Sequence, residues 1–520
     1  MTVNRYLSIF FVLFITGVSA CKKTSDPGTV EPPAKSADKE ISAFELKKEL
    51  NPALDADVSG SITQDTIFLQ ILAGTSTELK PTFTAKGTEV SVNGAVQKSG
   101  ETVQDFASPV TYTVKAEDGS TKNYVVMIGS HMPMLFLTTD GGAAIGKEEY
   151  VKGNMKIQGT QAGVFGFDAA MRIRGRGNST WTMEKKPYKI KLDEKASLLG
   201  LPSDKTWVLL ANYADKSMMR NELAFELSRR MGLAWTPASR YVEVTLNGRY
   251  DGVYELVEQI EMADHKVKVD KQGKNATSPA EITGGYLVEM DGFAWQEPFF
   301  IQTPREVKFS VKYPDIEEMS DAQKNYLNTY LTTFENALFA TNFTDPVNGY
   351  RKYFDVDSYV NYYIVNEVMG NSDAFWSTYF FKTRDGKLQA GPVWDFDISV
   401  NNDSRLGDAT QKLMLDAAHD PKKWVVRLME DPAFRKAVRD RWNAVKAGKV
   451  QTLPAYMQGL QRQLNPVQAK NFKRWDILTK PVYLNYKVPG TYQGEVDFVR
   501  STLQQRIQWL DGVINGSRFN

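Results

Sequence analysis

Between residues 40 and 130 apolar side chains alternate with polar ones in short runs broken by Gly, Pro and Asn, whereas from residue 320 onward they recur every three or four positions. A two-residue period marks half-buried strands; a 3.6-residue period marks helices packed on one face. The first region therefore predicts strands at 66–72, 89–92, 110–114 and 122–128, the last two flanking a turn at Glu117-Asp118-Gly119-Ser120. Together they form a small all-β sandwich over residues 41–130. It carries no cluster of His or carboxylate residues, which suits a spacer or binding module rather than a catalyst.

Residues 129–133 read as a boundary. From 134 to 313 the pattern is again strand-rich, with one helix inserted between Lys216 and Met231, where Met219, Leu223 and Leu227 share a face and Gly232 supplies the stop. Glu222 and Glu226, four residues apart, lie beside that stripe. Tyr188, Ile190 and Leu192 alternate with Lys189 and Lys191, so both lysines share one strand face. Strands at 241–246 and 253–257 pair around Asn247-Gly248, and 284–291 reads as a buried strand ending in acids. Helices follow, through Tyr326, Leu327, Tyr330, Leu331, Phe334 and Leu338, and later Val499, Leu503, Ile507, Leu510 and Ile514. The expected architecture is multi-domain: the sandwich, then an α+β unit over 134–515 with a strand-rich lobe (134–313) and a helix-rich lobe (320–515). Ligands favour the junction of two such lobes.

Two stretches put polar residues where a core would not want them. Arg174-Gly175-Arg176-Gly177-Asn178-Ser179-Thr180 offers amides and hydroxyls in a turn beside Arg172 and the Lys189/Lys191 strand, a composition suited to a polyphosphate or to a solvated hairpin. It is not a Walker loop, since no Gly-Lys-Ser/Thr follows at the required spacing. The second stretch is 366–402. Val356, Tyr359, Val360, Tyr363, Ile364 and Val368 make a helix that Gly370 ends, so Asn371 and Asp373 emerge at its C-terminus. A hairpin around Arg384-Asp385-Gly386-Lys387 follows, then Trp394-Asp395-Phe396-Asp397. Carboxylates between aromatic neighbours are costly to desolvate without a cation, and Mg²⁺ or Mn²⁺ bridging nucleotide phosphates is one such partner. The alternative is that Asp373 caps a turn and Asp395 pairs with an arginine.

Lys plus Arg at 63 against Asp plus Glu at 62 leaves a net charge of +1, so no global field draws the chain to nucleic acid. The single cysteine is Cys21, preceded by Asn4-Arg5, an apolar run at 7–15 and Val18-Ser19-Ala20. This resembles a bacterial lipoprotein signal, which implies a signal peptide over 1–20, lipid on Cys21, a flexible tether over 21–40 and residence in the cell envelope, at the outer membrane or surface. His131, His265 and His419 are the only imidazoles; each is expected at a surface or boundary, which argues against a multi-His zinc site.

A glycine-containing loop, a strand Lys, a helix Glu, further strands, a helix, a polar loop, a hairpin and an Asp motif follow one another as in protein kinases, without the HRD and DFG motifs. Arg174-Gly175-Arg176-Gly177-Asn178-Ser179-Thr180-Trp181, Lys185-Lys186-Pro187-Tyr188-Lys189-Ile190-Lys191-Leu192, Gly252-Val253-Tyr254-Glu255-Leu256-Val257-Glu258, Gly285-Tyr286-Leu287-Val288-Glu289 and Trp394-Asp395-Phe396-Asp397 together resemble the CotH-type atypical kinases. The resemblance implies a kinase-like fold, ATP with Mg²⁺ or Mn²⁺, and phosphorylation of Ser or Thr on secreted or surface proteins. Carried over, Lys189 contacts the phosphates, with Lys191 as the alternative. Glu226, or else Glu222 or Glu258, orients that lysine. Asp395 binds metal with Asp397 and Asn371, and Asp373 either positions the acceptor hydroxyl or shares the metal. Arg174 to Ser179, Glu258 and Glu289 contribute to the cofactor site, and 286–291 leads to the adenine. The competing expectation is a surface binding or structural lipoprotein that keeps the fold without catalysis.

Overall fold

A computed structural model describes residues 34–72, 75–106, 109–158 and 165–520; the expected signal peptide and Cys21 lie outside the described residues. Among the described residues no helix is long and apolar enough to cross a membrane.

The N-terminal region is β-rich. A three-stranded sheet centred on Glu40–Leu46 and a six-stranded sheet containing Thr66–Leu72, Thr121–His131, Val110–Lys115 and Glu89–Val92 share one core. Inward alternate positions supply it: Phe44, Ile67, Leu69, Tyr112 and Val126 are buried, and Tyr112 meets Phe44 edge-on at 5.2 Å. The expected strands and the turn at Asp118-Gly119 appear in place.

The C-terminal region is mixed α/β. Seven strands close a barrel: β1 (Met134–Thr139), β2 (Val151–Gln158), β3 (Phe165–Gly175), β4 (Tyr188–Ala196), β5 (Asp204–Leu210), β6 (Ser239–Leu246) and β7 (Arg249–Glu258). Neighbours run antiparallel except where β1 meets β6 and closes the ring. Leu137, Met155, Ile173, Ile190, Trp207, Val244 and Leu256 fill the interior. On β4 the residues between them, Lys189 and Lys191, therefore stand outside. Helix α1 (Arg220–Met231) interrupts the barrel between β5 and β6 and ends at Gly232 with φ 78°.

A second sheet takes the order β9 (Phe300–Gln302), β10 (Lys308–Tyr313), β8 (Tyr286–Met290), β11 (Thr378–Lys382), β12 (Leu388–Ala390). This sheet spans the expected boundary at 313–320. Strand β8 pairs on one side with β10 and on the other with β11, so the acidic hairpin completes a sheet begun almost a hundred residues earlier. Non-local pairing of this kind leaves no local trace in sequence.

Around this sheet pack α2 (Asp321–Phe339), opened by a Ser320/Gln323 capping box, α3 (Val356–Met369), α4 (Pro432–Val445), α5 (Leu453–Arg474) and α6 (Tyr492–Ile514). Helix α3 is buried on nearly every side. Its Glu367 pairs with Arg506 of α6 at 3.2 Å and accepts from the amides of Met414 and Leu415, while Arg506 also donates to the carbonyls of Glu367, Ala409 and Lys412. Replacing Arg506 with Leu leaves Glu367 buried and unpaired. Denaturant unfolding should then show about 3–5 kcal/mol less stability in the C-terminal region; a loss below about 1 kcal/mol would contradict this account of how α3 and α6 are joined.

Candidate functional site

Strand β3 runs out at Gly175, where Arg174 faces Lys189 across the ladder, and the Arg176 amide donates to the Pro187 carbonyl, closing the loop between them. Both glycines are required. A Cβ on Gly175 would lie 2.2 Å from the Trp181 ring, and Gly177 has φ 79° with its Cβ direction taken by the Thr180 hydroxyl. The loop is thus folded tightly against its own tryptophan.

On the other side, α3 ends at Gly370 with φ 57°. Asn371 turns inward: its side-chain oxygen accepts from the Asp373 amide and its Nδ2 donates to Asn366. Asp373 lies beside Arg405, which pairs with it at 3.3 Å while gripping Asp403 at 2.6 Å. After the β11–β12 hairpin, Trp394 stacks on Phe225 of α1 at 5.9 Å, and Asp395 takes the left-handed backbone (φ 67°). The amide of buried Phe396 donates to Asn221 of α1.

These parts surround one cavity of about 800 Å³. Arg174, Gly175, Arg176, Gly177, Asn178, Ser179 and Lys189 line one wall; Asp373, Asp395 and Asp397 line the other, and Glu289 also lines the cavity. Residues of unlike charge that are two hundred positions apart in the chain thus share one space. Asp395 is open to the solvent of the cavity, but the protein packed around it raises its carboxyl above the usual range, and the Asp373 charge adds to the rise against the pull of Arg176. Burial, then Asp395, Asp215 and Asp373, push Asp397 well above. Asp373 is raised by burial and held back by Arg405 and His419. Neither Asp395 nor Asp397 has an ion-pair partner among the described residues, and the Arg176 guanidinium instead stacks 5.3 Å from the Trp394 ring centre. Carboxylates raised by their acidic neighbours in this way are eased by a cation. Among the described residues no group of three or more His, Cys, Asp or Glu is disposed to hold a metal. The donor set that remains, Asp395 and Asp397, is of the size Mg²⁺ uses when phosphates and water complete its coordination.

Several expected residues stand elsewhere. Glu226 pairs with Arg230 at 2.7 Å and Arg229 at 3.2 Å on its own helix and does not line the cavity. Glu222 bonds Ser239, Tyr456 and Arg229. Glu258 accepts from the Ala238 amide near His265; its row on the barrel is that of Trp207, one residue out of step with Lys189. The carboxylate whose charge acts on Lys189 is Glu261, itself paired with Lys266 at 2.8 Å. A helix glutamate pattern could not reveal this, because Glu261 sits in an irregular loop after β7. Lys191 is exposed outside the cavity, and Asn371 caps a turn rather than facing the acids. Glu289 lines the cavity in an ion pair with Lys312 at 2.9 Å.

Pattern reading also missed Lys185, Asn212, Asn221, Lys312, Arg405 and His419, all in the cavity wall. His265 is exposed and His419 half-buried, as expected of surface or boundary positions, and each stands beside an acid, His419 3.7 Å from Asp403 and His265 3.3 Å from Asp204. The run Asn212-Tyr213-Ala214-Asp215 before α1, polar where a strand leads into a helix, was the available signal for one of them.

A model of the family described as CotH kinase protein matches residues 173–510. The chain belongs to the CotH kinase protein family. That match spans both walls of the cavity. A model described as SGBP, N-terminal, matches residues 48–128, within the β-rich region that precedes the CotH kinase part. A comparison with curated proteins finds no match.

Burial lowers the Lys189 ammonium to about 8, with Glu261 opposing and Arg174 and Arg176 adding to the fall. An anion favours the charged form, so affinity for a phosphate ligand is full below pH 8 and declines as pH rises through it, by about tenfold per unit at most. Titrating ATP between pH 6.5 and 9.5 should show this decline in wild type and a flatter profile in Lys189→Met. Glu226→Gln should leave both profiles unchanged.

Proposed function

We propose that this protein is an envelope protein kinase that transfers the ATP γ-phosphate to Ser or Thr of secreted or surface proteins with Mg²⁺ or Mn²⁺. The observation that carries the proposal is the single cavity lined by a cationic glycine loop and by three carboxylates, of which Asp373 raises both Asp395 and Asp397. Phosphoryl transfer asks little covalent chemistry of a protein; it asks for positioning and charge neutralisation on both sides of the phosphates. Membership of the CotH kinase family supports the reading, and with it a two-lobed, kinase-like arrangement of the strand-rich and helix-rich parts. The match to SGBP, N-terminal, together with the lipoprotein-like leader, supports a surface location reached through lipid on Cys21.

In this reading Arg174, Arg176 and Lys189 hold the phosphates, and Asp395 and Asp397 hold the divalent cation. The cation, when bound, neutralises charge on the phosphate oxygens. Asp373 accepts the proton of the acceptor hydroxyl or shares the metal. Burial raises its carboxyl, and the Arg405 guanidinium beside it opposes that rise. Strand β8 brings Glu289 to the cavity and leads on to Phe293, and in this reading Phe293 with Trp376 receives the adenine.

A second reading has a specific observation behind it. The grip of Arg405 on Asp373, and the absence of a three-ligand acidic group among the described residues, support a kinase-fold surface protein that binds without catalysis. Labelled phosphate separates the two. The kinase reading expects Mn²⁺- or Mg²⁺-dependent incorporation from ATP that Asp395→Ala lowers on the order of 10³-fold while the protein stays folded. No incorporation by wild type into itself or envelope proteins would favour the binding reading. Incorporation that survives both Asp395→Ala and Asp373→Ala would overturn the site assignment.

A further inference from the structure

Asn221 sits in the first turn of α1, 5% exposed, and uses both ends of its carboxamide. Its oxygen accepts from the Phe396 amide at 2.9 Å, and its Nδ2 donates to the Asn212 side-chain oxygen at 3.2 Å. The orientation is forced, because only an oxygen can accept from a backbone N–H. Asn212 is then also fixed: with its oxygen taken, its Nδ2 donates to Glu255 at 3.2 Å. Glu255 is fully buried, so the chain ends at an anchor that cannot move without opening the barrel wall.

The two residues this carboxamide ties together are both unusual. Asn212 has φ 47°, and Asp395, whose next amide Asn221 holds, has φ 67°. Outside glycine the left-handed region is uncommon, and although Asn and Asp enter it more readily than other residues, it is kept where the surroundings hold it. One hydrogen bond after Asp395 lies between the two carboxylates of the Asp395-Phe396-Asp397 turn. Releasing it would let both side chains swing.

We propose that Asn221 is the positioning residue of the acidic turn, holding Asp395 and Asp397 at the separation a divalent cation requires, with Asn212 as its support. The inference rests on the metal-dependent reading of the site. It assigns Asn221 no contact with substrate or metal. Its effect should appear in cation affinity and in the order of the turn, and leave metal-free nucleotide binding to the opposite wall unchanged.

The full chain tests this through Asn221→Ala and Asn212→Ala. Mn²⁺ titrations by electron paramagnetic resonance, with ATP held constant, should give a dissociation constant about 10–100-fold higher in Asn221→Ala, the range seen when supports of metal ligands are removed. Asn212→Ala should move it in the same direction by less, and it carries the test if Asn221→Ala does not fold. In metal-free protein the Phe396 amide should exchange faster in both variants. ATP affinity measured in chelator should match wild type. A lowered unfolding midpoint with unchanged Mn²⁺ affinity and unchanged Phe396 exchange would overturn the proposal and leave Asn221 a purely structural residue. If wild type itself binds no Mn²⁺ with ATP, the metal reading fails and the claim about cation spacing is overturned with it. Phe396 exchange would then report separately whether Asn221 orders the turn.

Discussion

The site hangs on one desolvated guanidinium. Arg220, the first residue of α1, is fully buried, pairs with Asp215 at 2.5 Å, and donates to the carbonyls of Ser399 at 2.8 Å and Val400 at 3.4 Å. Charge-assisted bonds to backbone oxygens in a dry interior are among the stronger contacts a protein makes, and a buried charge without its partners is among its larger liabilities. Arg220 therefore fixes the segment after the acidic turn as firmly as Asn221 fixes its middle. The strain is concentrated there. Val400 and Asn401 have φ 49° and 59°, and a β-branched residue in the left-handed region is held only by strong local contacts. A chain segment that carries carboxylates into a cavity has been given a shape it would not choose alone.

The electrostatics of the cavity follow from that placement. With the acidic turn pinned to α1 and the glycine loop folded over Trp181, charges of opposite sign face each other without pairing, and each is shifted away from its ionised form by burial. Pairing has gone elsewhere: Arg405 to Asp403, Lys312 to Glu289, Glu226 to Arg229 and Arg230. The groups without an ion-pair partner among the described residues, Arg176 and Lys189 on one side and Asp395 and Asp397 on the other, are the ones that a ligand with its own negative and positive parts would satisfy together.

The fold was legible where its signals are local. Strands of alternating type, the Asn247-Gly248 hairpin, the glycine stops at 232 and 370 and the C-terminal helix all follow from period and turn chemistry. The sheet that joins β8 to β11 was not, because pairing across almost a hundred residues depends on packing. The site divides in the same way. Arg174 to Ser179, Lys189, Asp373, Asp395 and Asp397 stand out as polar residues in apolar or glycine-rich settings, and the cavity gathers them. Glu226 shows the limit of helical spacing as a guide. A glutamate three and four residues before two arginines satisfies itself along its own helix. Glu261 and Asn221 came from an irregular loop and a helix start, where no period operates and only the assembled geometry shows what each side chain meets.

The central claim is that the two walls form one ligand site that neither completes alone. A thermal-shift series on wild type with ATP, with Mn²⁺, and with both tests it directly. The two walls acting together predict a rise in unfolding temperature with ATP and Mn²⁺ that exceeds the sum of the separate effects. Shifts that merely add, or no shift with both present, would contradict the claim.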